Sequence, residues 1–191
     1  VEDKTALRKL LRSRRSEHVS DLPGTMRALM FKCPPSPVAA RVADGLTVGL
    51  YWAGQSEAPT LAYAKWFHER GHLLALPCFA DRDDDMHFRT WHDPYDAEEL
   101  DTGPFSIPQP ATNSAEALPD VVFVPLVGFT ERGDRIGQGA GHYDRWLEAN
   151  PNVLTIGLAW DCQLVDDLPV EPHDQPLDMV VTPTQIYERS N

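Results

Sequence analysis

Apolar positions recur along this chain at two spacings, and each spacing predicts a different kind of element. Residues 3–15, DKTALRKLLRSRR, set Leu7, Leu10 and Leu11 on one side of a helix, with Asp3 as its N-cap. Prolines 23, 34, 35 and 37 then divide the stretch 16–45 into short helical pieces. Residues 47–52, TVGLYW, read as a buried strand that ends in a loop over 53–59. A helix over 60–70, a turn at Gly71 and a strand over 73–77 follow. Strand, helix and strand within about 30 residues is the signature of parallel pairing. Residues 86–91 alternate as a strand does, and 105–110, FSIPQP, must be extended because proline forbids helix. The strongest strand signal is 121–129, VVFVPLVGF, which leads into a glycine-rich stretch. A helix over 142–149, a strand over 154–159 and a last strand near 179–182 complete the series. The expected fold is a three-layer α/β/α sandwich around a mostly parallel sheet, with 1–191 as one domain.

Charge narrows the range of partners. The chain has 191 residues, 17 of them basic and 29 acidic, for a net charge of −12. Duplex nucleic acid is not expected as a partner, because phosphate binding draws on clustered Lys and Arg. Only Lys4, Lys9, Lys32 and Lys65 are available where chemistry needs a lysine. Cys33, Cys78 and Cys162 are far apart and odd in number, so reduced thiols and a cytoplasmic setting are expected. No apolar run approaches the ~20 residues of a membrane span, and no membrane partner is expected. A monomer is expected. Asp81, Asp83, Asp84 and Asp85 suggest a calcium loop but lack its glycine and terminal glutamate; they read as a solvated turn.

Candidate chemistry concentrates in residues 135–145, RIGQGAGHYDR. Glycines at 137, 139 and 141 let successive backbone N–H groups turn toward one centre, and the helix that begins next adds partial positive charge. Together they form an anion cradle. Asp144, in the first turn, can hold Mg²⁺ against bound phosphates, and Arg135 and Arg145 can supply forked contacts to them. The spacing is neither the G-x-G-x-x-G of dinucleotide sites nor a P-loop. Lys4 and Arg8, at i and i+4 on the first helix, project from one face and can grip one polyanion.

The block 124–145, VPLVGFTERGDRIGQGAGHYDR, resembles the signature of the 5-formyltetrahydrofolate cyclo-ligase family. Lys4 with Arg8 is similar to that family's N-terminal K-x-x-x-R, and residues 57–60, EAPT, to its E-x-x-T. Residues 107–110, IPQP, resemble its I-P-x-P step, and 156–178, with His173 and Asp174, resemble its C-terminal block. The resemblance implies an ATP- and Mg²⁺-dependent ring closure of 5-formyltetrahydrofolate to 5,10-methenyltetrahydrofolate, with release of ADP and phosphate. It assigns Lys4, Arg8, Arg135 and the loop from Gly137 through Gln138, Gly139, Ala140, Gly141 and His142 to Tyr143 to ATP. It assigns Trp52, Glu57 and the stretch 138–143 to the folate, and Asp144 and Asp174 to Mg²⁺. Arg135 and Arg145 are the expected catalytic cations.

Two positions depart from the family pattern. His142 stands where many relatives have a first tyrosine, and Ala140 where some have a lysine, leaving Arg145 as the substitute cation. These departures keep open a second reading, a catalytically silent relative that binds folate or nucleotide without turnover. Without the resemblance, Tyr51 and Trp52 read as core, Glu57 as a surface acid, and His68, His72, His87 and His92 as solvated or packed side chains.

Overall fold

The structure, a computed structural model, describes residues 4–189; the Asp3 cap expected for the first helix lies outside them. Helix α1 spans Lys4–Asp21, longer than the leucine pattern predicts. The stripe that continues it is Leu7, Leu11, Arg15 and Val19, spaced four apart, in which Arg15 is itself buried. Its guanidinium donates to the Leu126 carbonyl at 3.2 Å and to Ser56 Oγ at 3.2 Å, so a charged residue continues an inward face. Leu10, expected on that face, lies 100° around the helix from Leu11 by α-helical geometry and is 64% exposed. Short helices α2 (Gly24–Met30) and α3 (Ser36–Ala39) each begin directly after a proline, as expected.

The sheet begins with β1 (Thr47–Gly49), crosses through α4 (Leu61–His68) to β2 (Leu73–Cys78), and turns back into β3 (His87–Trp91). A side ribbon pairs β4 (Leu100–Thr102) with β5 (Pro108–Pro110). The 121–129 run is divided into β6 (Val121–Pro125) and β7 (Gly128–Phe129), and β7 pairs instead with β8 (Arg135–Ile136). The division has a local cause. The carbonyls of Leu126 and Val127 accept from the Gln163 side-chain amide at 2.8 and 3.1 Å, and Leu126 also accepts from Arg15. The chain can therefore leave the sheet there without stranding polar backbone. After helix α5 (His142–Ala149) come β9 (Leu154–Leu158), β10 (Met179–Val181) and β11 (Ile186–Glu188).

Seven strands form one sheet in the order β11-β10-β9-β6-β1-β2-β3, parallel except where β3 and β11 run antiparallel at its two edges. The strand near 179–182 is therefore not the last; β11 follows it and closes that edge. Alternation along β6 sends Val121 and Phe123 to a core shared with Phe31, Tyr63, Phe67 and Trp160 of the α1–α4 side. Val122 and Val124 face Phe88, Leu177 and Val180, with Tyr143 and Trp146 of α5 packed against that second core. Full burial of each such side chain contributes about 1.5–3 kcal/mol. Helices on both faces of a mostly parallel sheet are the expected architecture. The C-terminal ends of β1 and β6 and the start of α5 open toward the same cavity.

Candidate active site

A cavity of about 450 Å³ lies where the ends of β1 and β6 meet the glycine loop, the start of α1 and the 171–174 turn. Every sequence-predicted site residue except Arg145 lines it: Lys4, Arg8, Trp52, Glu57, Arg135, residues 137–144 and Asp174. Gly141 precedes α5 with φ +71° and Gly139 has φ +111°, left-handed values that a side chain rarely adopts. This backbone leaves the first N–H groups of α5 at the cavity, where helix geometry gives them no partner within the helix.

Arg135 anchors the polar lining of the cavity. Its side chain is 3% exposed, and Nη2 donates to Asp144 Oδ1 at 2.6 Å, while its Nε is buried with no partner. The Gln175 backbone N–H donates to the same Asp144 oxygen at 3.1 Å, which ties α5 to the residue beside Asp174. Lys4 Nζ donates to Asp174 Oδ2 at 2.7 Å and to Glu171 Oε2 at 2.6 Å. Burial alone would lower the Lys4 pKa, but the bonds to Asp174 and Glu171 raise it above the ordinary value. Burial would likewise raise Asp174, yet the bonds from Lys4 and the Glu171 N–H hold it below the usual carboxylate range. Arg8 Nε donates to the Gly137 carbonyl at 3.0 Å, so the first helix grips the loop directly.

Aromatic rings also line the cavity. Phe79, Phe105 and His142 meet edge to face, with centroids 4.8 Å apart for Phe79–His142 and 5.1 Å for Phe79–Phe105. Trp52 lines the cavity and leans on buried Trp91. Tyr143 has a buried hydroxyl with no partner, and burial pushes its pKa well above the ordinary range. Glu57 Oε2 accepts from the Gly54 N–H at 2.8 Å and Oε1 from the Gln138 amide at 2.8 Å.

Arg145 stands apart from the cavity lining. Its Nη1 donates to the Ala140 carbonyl at 3.1 Å, its Nη2 lies 3.0 Å from His142 Nδ1, and its Nε is 3.5 Å from Asp85. It therefore clamps the loop from outside. Sequence reasoning left out Phe79, Phe105 and Gln109, which also line the cavity. The 107–110 step gave a partial signal for that wall, since it contains Gln109 and begins two residues after Phe105. It also read Tyr51 as core; the ring is buried, donates to the Ala58 carbonyl at 2.6 Å, and still reaches the cavity wall.

The chemistry of the donors decides what this cavity can hold. Arginines, a lysine, loop amides and a helix start share the cavity with a carboxylate and aromatic rings, suiting a polyphosphate beside a flat, donor-rich ring. A profile of the 5-formyltetrahydrofolate cyclo-ligase family matches residues 1–183. The chain belongs to that family. It is 36% identical to the 5-formyltetrahydrofolate cyclo-ligase of Escherichia coli K12 over 166 residues, covering 83% of this chain and 86% of that one. Its fold is that of the solution structure of a 5,10-methenyltetrahydrofolate synthetase from Aquifex aeolicus, at TM-score 0.74 and 23% identity, covering 97% and 94% of the two chains. A 5,10-methenyltetrahydrofolate synthetase from Mycoplasma pneumoniae has the same fold at TM-score 0.66 and 21% identity, covering 93% and 97%. Like other members of the cyclo-ligase family, the chain is an enzyme of the ligase class. No helix among the described residues is long and apolar enough to cross a membrane.

Proposed function

We propose that this cyclo-ligase closes the ring of 5-formyltetrahydrofolate at the expense of ATP, and that the cavity between α1, the glycine loop and Glu57 is where it does so. The observation that carries the reading is what one cavity brings together. Lys4, Arg8, Arg135 and the 137–143 loop line it with Glu57, Trp52, Phe79 and Phe105, and the loop itself reaches Glu57 through Gln138.

In this reading the formyl oxygen takes the γ-phosphoryl group of ATP and ADP leaves. N10 then attacks the activated carbon, and the oxygen departs with phosphate, leaving the methenyl bridge. The protein supplies position and charge rather than a nucleophile. Arg135, buried and paired with Asp144, holds a fixed positive charge at the cavity lining in a low-dielectric setting. Lys4 and Arg8 bring charge from a separate element. The Glu57 carboxylate accepts from the donor-rich edge of the pterin, and Tyr143 lines the same cavity.

Asp144 and Asp174 fit a hard divalent cation. Arg135 and the Gln175 N–H bond Asp144 at Oδ1, and Lys4 and the Glu171 N–H bond Asp174 at Oδ2, so each carboxylate has a second oxygen to offer an ion. Bound there, Mg²⁺ would offset phosphate charge. Glu171 and His173 also bring ligand atoms within 4.8 Å of those of Asp174. A cytoplasmic, monomeric enzyme accords with the reduced thiols and the charge balance of the sequence. Folate binding and ATP binding, measured separately on Glu57→Gln and on Lys4→Ala/Arg8→Ala, test these assignments. Each variant should weaken its own ligand, and equal weakening of both ligands by either would contradict them.

A further inference from the structure

Arg12 does not line the cavity, and neither the sequence pattern nor the family resemblance gives it a role. Its guanidinium nevertheless makes all of its described bonds to a single residue of the glycine loop. Nη2 donates to the Gln138 carbonyl at 2.8 Å and to Gln138 Oε1 at 2.7 Å, and Nε donates to Oε1 at 3.0 Å. A guanidinium can only donate, so these bonds identify the oxygen end of the Gln138 amide. The nitrogen end is then the one left facing Glu57, and it donates to Oε1 at 2.8 Å. A flipped amide would set oxygen against carboxylate and leave the guanidinium facing an N–H₂ group. The Gly54 N–H fixes the other carboxylate oxygen.

The helix makes this arrangement possible. Residues four apart share a face of α1, and Arg8 and Arg12 hold the consecutive loop residues Gly137 and Gln138. A point charge at position 12 would attract an anionic ligand but would not orient an amide. The planar fork does both.

We propose that Arg12 is a positioning residue for folate recognition: through the oriented Gln138 amide it holds the Glu57 carboxylate in the direction that accepts the pterin edge. The inference rests on the reading of Glu57 as the folate carboxylate. A relay of this kind couples Arg12 to Glu57, so their substitutions should not add.

The test is calorimetric titration of 5-formyltetrahydrofolate without nucleotide, and separately of a non-hydrolysable ATP analogue, into the full chain. The variants are Arg12→Ala, Arg12→Lys, Glu57→Gln and Arg12→Ala/Glu57→Gln. Arg12→Ala should weaken folate about tenfold, the size of coupling seen in shared hydrogen-bond networks, and leave the ATP analogue unchanged. Arg12→Lys keeps the charge but loses the fork, and should weaken folate nearly as much; it carries the test if the alanine variant loses structure. The double variant should bind folate no more weakly than Glu57→Gln alone. Full folate affinity in Arg12→Lys would overturn the proposal in favour of simple charge attraction. Additive losses, or an Arg12→Ala variant that binds folate normally while Glu57→Gln does not, would overturn it and leave the folate assignment standing. Normal folate binding in Glu57→Gln would overturn the proposal together with the folate assignment on which it rests.

Discussion

Asp144 has two tasks that can be separated experimentally. It neutralises the buried guanidinium of Arg135, and in the proposed reaction it also holds Mg²⁺. Asp144→Asn removes the charge while keeping the shape. Stripping one partner from a buried pair costs about 3–5 kcal/mol, so the variant should unfold at lower denaturant. Turnover should also require several-fold more Mg²⁺. A Mg²⁺ titration that matches the parent would remove Asp144 from the metal site and leave it as Arg135's counter-ion. Glu57 makes the complementary case for the folate. Loss of a charged partner to a buried donor typically costs ~2–3 kcal/mol, so Glu57→Gln should raise the folate KM by roughly 30- to 150-fold and that of ATP far less. An unchanged folate KM would return Glu57 to the surface acid it resembles in isolation.

At the scale of elements, α1 is the hinge of the account, because one helix serves the core and the cavity from different faces. Leu7 and Leu11 pack with Val127, Ile136 and Leu168, while Lys4 and Arg8 reach the 171–174 turn and the glycine loop. If the cationic face serves the nucleotide, Lys4→Ala/Arg8→Ala should weaken a non-hydrolysable ATP analogue by ~2–4 kcal/mol in calorimetry and leave folate nearly unchanged. No weakening of either ligand would return that face to solvent. Leu11→Ala tests the other face. Gly128 lies so close that an added Cβ would come within 2.6 Å of Leu11 Cδ1, so the site is tightly packed. Denaturant unfolding should register a loss of about 2–5 kcal/mol, and a loss below about 1 kcal/mol would contradict the anchoring role.

Elements with strong local punctuation were legible in the sequence. Helix α5 runs over the expected 142–149 because Gly141 permits its start and Asn150-Pro151 its end. Elements fixed by distant partners were not. Arg15 hides the continuation of the α1 stripe, since a charged residue gives no sign of burial until the Leu126 carbonyl is seen beside it. The three residues of β11 carry too short a pattern to mark an edge strand, and the β6–β7 break depends on Gln163, far along the chain. Arg145 looked like a catalytic cation from its place beside Asp144, but on a helix adjacent residues point about 100° apart.

For the molecule as a whole, the site follows from where the sheet ends. Parallel strands β1 and β6 deliver Trp52 and Pro125 at one rim, and the chain leaves the sheet there to form the loops that carry Glu57 and residues 137–143. Residues from the first helix, from the middle of the chain and from the 171–174 turn converge on one cavity, so the catalytic claim concerns the assembled molecule rather than any segment. The silent relative that His142 and Ala140 kept open in the sequence gives way to membership of the cyclo-ligase family, and turnover tests the coupling to ATP. The decisive measurement is the growth of methenyl absorbance from 5-formyltetrahydrofolate, followed with and without Mg-ATP while ADP is quantified. Methenyl product should form only when Mg-ATP is present, with ADP and product in equal amounts. Folate that binds without forming product, or product that forms without consumption of ATP, would contradict it.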